Sequence, residues 1–108
     1  MGLTIDIHDH SEEFIREMDA ALRAAFEEIG QNAEAYAKAA CPVDTGRLRN
    51  SISHKSTERM MQVGTNVEYA PAVELGTSRQ KPQPYLRPSV EDYIDKYQTI
   101  IVNELKNI

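Results

Sequence analysis

The 108-residue chain is predicted to fold as one α+β domain, in which a small, mainly antiparallel sheet packs in two layers against a long N-terminal helix and a C-terminal helix. Three features predict this class. Apolar residues recur at helical spacing over the first forty residues, two short strand candidates lie near the middle, and a second helical pattern closes the chain. We expect both helices to cover one face of the sheet.

The N-terminal third predicts a short strand followed by the long helix. Residues 3–7 alternate apolar and polar side chains, as in a strand with one buried face. Asp9 or Ser11 is then expected to cap a helix of about 30 residues that ends at Pro42. Gly30, in the middle of this helix, predicts a bend or the close approach of another backbone. The apolar face comprises Phe14, Met18, Leu22, Ala25, Ile29, Ala33, either Tyr36 or Ala37, and Ala40.

The middle of the chain predicts turns and a hairpin. Asp44, Thr45 and Gly46 are typical of a turn in which the aspartate accepts backbone hydrogen bonds. Residues 52–55 and 60–64 are strand candidates joined by a short loop, and residues 67–69 are expected to continue the sheet. A short helical turn then begins at Pro71 and ends at Gly76.

The last third predicts an arm and a helix. Residues 77–84 are polar, basic and interrupted by proline, with no periodicity that could bury a face, so we expect a mobile or extended arm. Pro88 is expected to open the final helix, with Ser89 and Asp92 as a capping pair. Its apolar face comprises Val90, Tyr93, Ile94, Tyr97, Ile101, Leu105 and Ile108.

Charge and cysteine content exclude several classes of protein. With 12 basic and 17 acidic residues, the net charge is -5, which argues against binding nucleic acid or an anionic membrane over the whole surface. Residues 1–40 hold nine acidic and three basic side chains, whereas residues 41–89 hold seven basic and four acidic ones. The single cysteine, Cys41, excludes an internal disulfide and a cysteine-based metal cluster. No apolar run is long enough to span a bilayer and no signal peptide is evident, so we expect synthesis in a cytoplasm.

Three patterns could carry chemistry, and each has a simpler interpretation. Asp44-Thr45-Gly46 matches the tripeptide of aspartic proteases, which would act as a dimer, but here it follows a long helix rather than a hydrophobic strand. Cys41 could be a nucleophile activated by His54, with Asp44 as the orienting group, although a cysteine at a helix end is more often a small buried apolar residue. His8 and His10 have metal-ligand spacing but lack an evident third ligand.

The basic middle of the chain allows a further alternative, non-specific binding to DNA through phosphate contacts. No aromatic residues alternate with these basic side chains, and no recognition helix is evident, so acidic protein partners are the preferred interpretation. An acidic helix of a neighbouring copy could be such a partner. The basic residues are Arg47, Arg49, Lys55, Arg59, Arg79, Lys81 and Arg87.

Four segments, in this order, closely resemble a family of small tailed-bacteriophage proteins. They are 42–52 (PVDTGRLRNSI), 63–65 (VGT), 69–77 (YA followed by VELGT) and 83–88 (QPYLRP). The family is described as tail components, or as head–tail joining and tail-completion proteins of phages with long, non-contractile tails. The resemblance also implies that the protease-like tripeptide is a structural turn. The matching positions are Asp44, Thr45, Gly46, Leu48, Ser51, Gly64, Thr65, Tyr69, Glu74, Gly76, Thr77, Pro84, Leu86 and Pro88.

The resemblance implies a virion structural protein that has no catalytic activity and needs no cofactor. Such a protein is expected to form a ring, of six copies, at the neck between the capsid portal and the tail tube. Its implied partners are further copies of itself and other neck and tail proteins, with no membrane involved. Passing contact between the basic segment and DNA in the bore of the ring stays open.

Our own hypotheses assign roles to the matched residues. Gly46, Gly64 and Gly76 are expected to meet backbone requirements of turns. A buried Glu74 would need a partner, which Arg87 or Arg47 could supply. Apolar contacts are expected from Leu48, Tyr69, Leu75, Tyr85 and Leu86. The expected interface residues are Glu74, Arg79, Lys81, Tyr85, Leu86 and Arg87, with the acidic first helix meeting Arg79, Lys81 and Arg87 of an adjacent copy.

Overall fold

The first element is a long helix that ends where the sequence predicts. The computed structural model describes residue 2, residues 7–43 and residues 46–108, with the backbone alone for residues 7–10. Helix α1 (Ile7–Ala40) has 34 residues and is about 51 Å long. The Cys41 amide still donates to the Ala37 carbonyl (2.9 Å), and Pro42, which has no amide hydrogen, follows. The predicted long helix is confirmed.

The start of α1 differs from the prediction. The backbone is already helical at Ile7, and the rest of the predicted opening strand, residues 3–6, lies outside the described residues. The predicted caps Asp9 and Ser11 are wrong, because both lie inside the helix. No proline or glycine interrupts the chain between Ile7 and Gly30, so a helix stabilised by packing farther along continues through these polar residues.

A short helix and a hairpin follow. Helix α2 (Arg47–Ser51) was not predicted; it begins after Gly46, whose φ is 82°. Strands β1 (Ser53–Ser56) and β2 (Met61–Gly64) pair antiparallel, with Ser53 opposite Gly64 and Ser56 opposite Met61, so the predicted hairpin is confirmed. In its loop, the Thr57 hydroxyl accepts the amides of Arg59 and Met60 at 3.1 and 3.2 Å.

Three helices complete the chain: α3 (Ala70–Leu75), α4 (Leu86–Glu91) and α5 (Ile94–Lys106). The predicted short helix between Pro71 and Gly76 is confirmed as α3. Residues 67–69 do not continue the sheet as predicted. The Val67 carbonyl instead accepts the Ala70 amide (3.1 Å), which starts the turn into α3.

The predicted C-terminal helix is divided in two. Helix α4 begins two residues before Pro88, which lies in the first turn, where a missing amide hydrogen costs nothing. The predicted capping pair is wrong. Ser89 donates to the Leu86 carbonyl within α4 (2.5 Å), and Asp92 lies between α4 and α5. The Tyr97 hydroxyl of α5 links the two helices to each other by donating to the Ser89 carbonyl of α4 (2.5 Å).

The core consists of two clusters along α1, and together they give the two-layer α+β architecture. Both strands pack on α1, and α5 runs antiparallel along the same helix, with Tyr93 stacked on Tyr36 at 3.7 Å. The cluster near the C-terminal end of α1 comprises Ala37, Cys41, Leu48, Ile52, Val67, Ala70 and Tyr85. The cluster nearer its middle comprises Ala25, Ile29, Ala33, Tyr97 and Ile100, with Met61 and Val63 packed against it.

The N-terminal part of α1 extends past the other elements. The last turn of α5 lies beside Glu17 and Ala24, whereas residues 12–17 of α1 are all exposed. About ten residues of α1, roughly 15 Å, therefore project from a molecule whose dimensions are 79 × 23 × 22 Å. We call residues 11–18 the α1 projection; they comprise the projecting residues whose side chains are described and the two residues that follow them, beside the end of α5. None of the helices within the described residues is both long enough and apolar enough to cross a membrane.

Candidate functional site

The side chain of Glu74 joins α3 to the start of α4. Its Oε1 accepts the amides of Tyr85 (3.1 Å) and Leu86 (2.9 Å), and its Oε2 accepts that of Arg87 (3.3 Å). These are orphan amides of the first turn of α4, and no side chain at the N-cap position satisfies them. A carboxylate is well suited to this place because the helix dipole favours negative charge there.

The predicted pairing of Glu74 with an arginine side chain is wrong. The Arg87 guanidinium binds Glu91 at 2.9 Å, and that of Arg47 binds both oxygens of Glu68 at 3.0 Å. Arg87 reaches Glu74 through its backbone amide instead. The helix already fixes the direction of these three amides, so they bind the carboxylate without the loss of conformational entropy that ordering a long arginine side chain would require.

The predicted glycine turns have different geometries. Gly76 has φ 77° and ψ 171°, a conformation almost confined to glycine, and a Cβ there would lie 2.8 Å from the Pro82 nitrogen. Gly46 has φ 82° ahead of α2. At Gly64 φ is not positive and a Cβ would meet nothing within 4 Å, so the structure gives no local reason for glycine. Asp44 and Thr45 lie outside the described residues.

The predicted apolar contacts divide into buried and exposed residues. Tyr85 is fully buried and Leu48 nearly so, while Leu86 is half-buried against the same cluster. In this conformation Tyr85, expected at an interface, presents no surface to a partner. Leu75 is 74% exposed, so the apolar contact predicted for it is wrong; it is the last residue of α3, beside the turn at Gly76.

An open cleft of about 710 Å³ lies between α2 and α3, and we call it the α2–α3 cleft. Its lining includes Val43, Leu48, Tyr69, Val73, Gln80 and Gln83. Val43 is 54% exposed and Tyr69 is 37% exposed, so the cleft presents apolar side chains to solvent. The Arg47 guanidinium lies over the Tyr69 ring, 5.5 Å from its centre, at the edge of the cleft. The cleft brings together three of the four segments that carry the family resemblance.

The basic arm forms one rim of this cleft. Thr77 and Gln80 bond to each other through their backbones, and the Gln83 amide donates to the Val73 carbonyl at 2.8 Å. Between these anchors, Arg79 and Lys81 are exposed, and their side chains have no hydrogen-bond or ion-pair partner among the described residues. Mobility of residues 77–84 stays a prediction.

Sequence reasoning missed a cluster in which two carboxylates of α1 hold His54 of β1. The imidazole Nε2 bonds to Glu27 Oε1, and Nδ1 bonds to Glu34 Oε1 at 3.2 Å. The ring lies directly over Gly30, where a Cβ would come within 3.1 Å of Met61 Cγ and closer still to the ring. Gly30 therefore admits a side chain from the hairpin rather than a bend or another backbone. Two carboxylates placed three residues before and four after a helical glycine are the signal that could have revealed it.

The proton affinities of this cluster, the His54 clamp, reflect its ion pairs. Burial alone would lower the pKa of His54, but hydrogen bonds to Glu27 and Glu34 outweigh it, so this pKa lies above its ordinary value. Burial alone would raise the pKa of Glu34, but hydrogen bonds from His54 and Lys38 outweigh it, so this pKa lies below its ordinary value. The clamp is strongest where His54 is protonated and Glu34 is ionised.

The stability that the clamp provides should depend on pH. The raised His54 pKa gives stabilisation that is complete below the unfolded pKa of about 6.5 and is lost as pH rises through the folded pKa. We expect Glu34→Gln to lower the free energy of unfolding by about 1 kcal/mol more at pH 6 than at pH 8.5, measured by urea denaturation. As a control, Glu91→Gln breaks an exposed pair with an arginine that does not titrate in this range. An equal loss at both pH values would contradict the clamp.

The catalytic alternatives receive no geometric support from the described residues. Cys41 is buried, its thiol donates weakly to the Pro42 carbonyl (3.4 Å), and burial raises its pKa, which is unfavourable for a nucleophile. Both nitrogens of His54 bond to glutamates rather than to Cys41. Asp44 and the side chains of His8 and His10 lie outside the described residues. Within the part of the chain that is described, no three His, Cys, Asp or Glu residues are grouped to hold a metal ion.

Comparison with known proteins agrees with the resemblance seen in the motifs. Residues 3–76 match the model of a family described as "Bacteriophage HK97-gp10, putative tail-component". The matched range includes α1, the hairpin and α3, and therefore Glu74 and most of the α2–α3 cleft. No curated protein and no solved structure matches the chain. Because the match spans well over half of the sequence, the chain belongs to the HK97-gp10-like family of bacteriophage tail components.

Proposed function

We propose that this tail component is a ring-forming subunit of the phage neck, a head–tail connector or tail-completion protein that joins the capsid side to the tail tube. Its partners are further copies of itself, in a ring of six, and neighbouring neck and tail proteins, and its mechanism is geometric. Weak contacts repeated around a ring create one strong annular surface. Family membership supports the virion structural role, and the ring is our proposal.

The observation that carries the proposal is apolar surface exposed at both ends of a thin domain. Phe14 and Ile15 are 55% and 49% exposed on the α1 projection, and Val43 and Tyr69 are exposed at the α2–α3 cleft. Soluble monomers rarely leave such groups uncovered in clusters, and exposed clusters of this kind mark interaction sites. Two separate apolar surfaces on one subunit suit a closed ring better than a symmetric dimer, in which both subunits use the same surface.

Charge supports contact between copies. The α1 projection and the turn after it carry Glu13, Glu17 and Asp19, which have no ion-pair partner among the described residues. Arg79 and Lys81 of the arm are likewise without one, whereas Arg87 already pairs with Glu91. We therefore propose that the arm meets the acidic helix of an adjacent copy chiefly through Arg79 and Lys81, and that it becomes ordered there. Contact of the basic segment with DNA in the bore is a further, separate proposal.

The proposal predicts a closed particle that weakens with salt. Native mass spectrometry and negative-stain electron microscopy of the purified chain should show rings, with six copies expected. The concentration needed for half-assembly should rise severalfold between about 0.05 and 0.5 M salt, since screening weakens exposed charge pairs. Rings that do not respond to salt would refute the electrostatic contribution alone. A chain that stays monomeric at every concentration, with and without other neck and tail proteins, would refute the function.

A further inference from the structure

The apolar face of α1 extends farther towards the N-terminus than the elements that pack against it. Ala25, Ile29 and Ala33 are buried against α5 and the hairpin at four-residue spacing. The same face continues towards the N-terminus through Leu22 and Met18, which are half-buried, to Phe14, which is 55% exposed. The apolar face of α1 that packs within the domain therefore continues towards the N-terminus with no packing partner among the described residues. Ile15, beside this face, is also exposed.

The other exposed apolar surface lies at the opposite end of the molecule. The α2–α3 cleft begins at Pro42, directly after α1 ends at Ala40. Between Phe14 and Ala40 the helix rises by about 39 Å, so Phe14 cannot reach the cleft of its own chain. Only a second molecule can bring the two surfaces together.

The two surfaces are complementary in charge as well as in apolar character. Glu13 and Glu17, which have no ion-pair partner among the described residues, flank the exposed residues of the α1 projection. Arg79 and Lys81, for which the described part of the chain likewise supplies no ion-pair partner, flank Gln80, which lines the cleft. Opposite unpaired charges around matching apolar patches favour docking and fix its register, because like charges would meet if either surface docked on a copy of itself.

We propose that the α1 projection of one copy docks in the α2–α3 cleft of the next, with Phe14 and Ile15 against Val43 and Tyr69. The contact is head-to-tail, because its two surfaces lie on opposite ends of each subunit. Such a contact closes into a ring or propagates as an open filament, depending on the rotation between neighbours. The inference rests on the proposed ring, which it supplies with a defined subunit contact.

Charged substitutions at each surface test the contact without disturbing the core. Phe14→Glu and Val43→Glu alter exposed positions, and Val102→Glu on α5 is the matched control because that valine is 46% exposed elsewhere. We expect each of the first two variants to raise the half-assembly concentration by about tenfold or more, as for an aromatic anchor at an interface centre, and the control to change it less than about twofold. Circular dichroism should show all three folded.

Mixing the two defective variants separates a head-to-tail contact from a symmetric one. Phe14→Glu keeps an intact cleft and Val43→Glu keeps an intact projection, so together they should form one-to-one pairs that grow no further. Amide exchange at 79–83 should slow in these pairs. If wild-type rings form but Phe14→Glu and Val43→Glu assemble normally, the contact is wrong and the ring stands. Head-to-tail filaments sensitive to both variants would support the contact and contradict the ring, whereas a monomer under all conditions would overturn both.

Discussion

Gly30→Ala is expected to lower the free energy of unfolding by about 2 kcal/mol, although in an exposed helix the same change would raise it by about 1 kcal/mol. The added methyl group would overlap the His54 ring, whose Cγ lies 3.0 Å from the Cβ position, and would lie 3.1 Å from Met61 Cγ. The ring cannot move away freely because Glu27 and Glu34 hold both of its nitrogens. Overpacking and weakened ion pairs should therefore outweigh the gain in helix propensity.

Urea denaturation of matched variants can isolate this steric cause. Gly64→Ala places a methyl group in open space at the end of β2, so it should change the free energy of unfolding by less than about 0.5 kcal/mol. In the His54→Ala background, Gly30→Ala should become stabilising, since the ring that it would strike is gone. If Gly30→Ala stabilised the wild-type chain, the His54 imidazole would not lie against Gly30.

Glu74→Ala is expected to lower the free energy of unfolding by about 3 kcal/mol. The change leaves the amides of Tyr85, Leu86 and Arg87 without their acceptor at the start of α4, where no side chain at the N-cap position replaces it. Loss of one helix cap typically costs about 1 kcal/mol, and hydrogen bonds to a charged group cost more to lose. Tyr85 is fully buried, so water cannot easily satisfy its amide once the carboxylate is removed.

Chemical denaturation of two companion variants gives the comparison. Glu74→Gln keeps one carbonyl oxygen as an acceptor, so its loss should be about half as large. Glu91→Ala breaks only an exposed ion pair with Arg87, so its loss should be much smaller than that of Glu74→Ala. If Glu74→Ala and Glu91→Ala were equally mild, Glu74 would not be the cap of α4.

The same residue bears on assembly. Glu74 lies in α3, which contributes Val73 to the wall of the α2–α3 cleft, and its carboxylate holds α3 against α4. The Gln83 amide, bonded to the Val73 carbonyl, ties the arm to the same helix. Loosening Glu74 should therefore weaken subunit contact as well as stability, and Glu74→Gln should weaken assembly less than Glu74→Ala.

Elements with strong local signals were predictable from the chain alone. The apolar spacing of α1 and its stop at Pro42, the hairpin of β1 and β2, and α3 between Pro71 and Gly76 all follow from periodicity and turn residues within a few positions. The family could also be recognised from the sequence, because its motifs are short segments that occur in a fixed order along the chain. The division of the last helix was missed, since the apolar spacing of α4 and α5 continues across the break at Asp92 and Tyr93.

Pairings between distant residues needed the folded chain. Glu74 was expected to bind an arginine side chain. Its carboxylate instead accepts amides at the start of α4, eleven to thirteen residues away, and no sequence pattern near Glu74 indicates this pairing. His54 and Gly30 likewise meet only because the hairpin packs on α1. The exposure of Phe14 depends on where α5 ends beside α1, whereas its place in the apolar pattern is the same as that of the buried Ile29. Periodicity identifies the face of a helix, but packing determines how much of that face is covered.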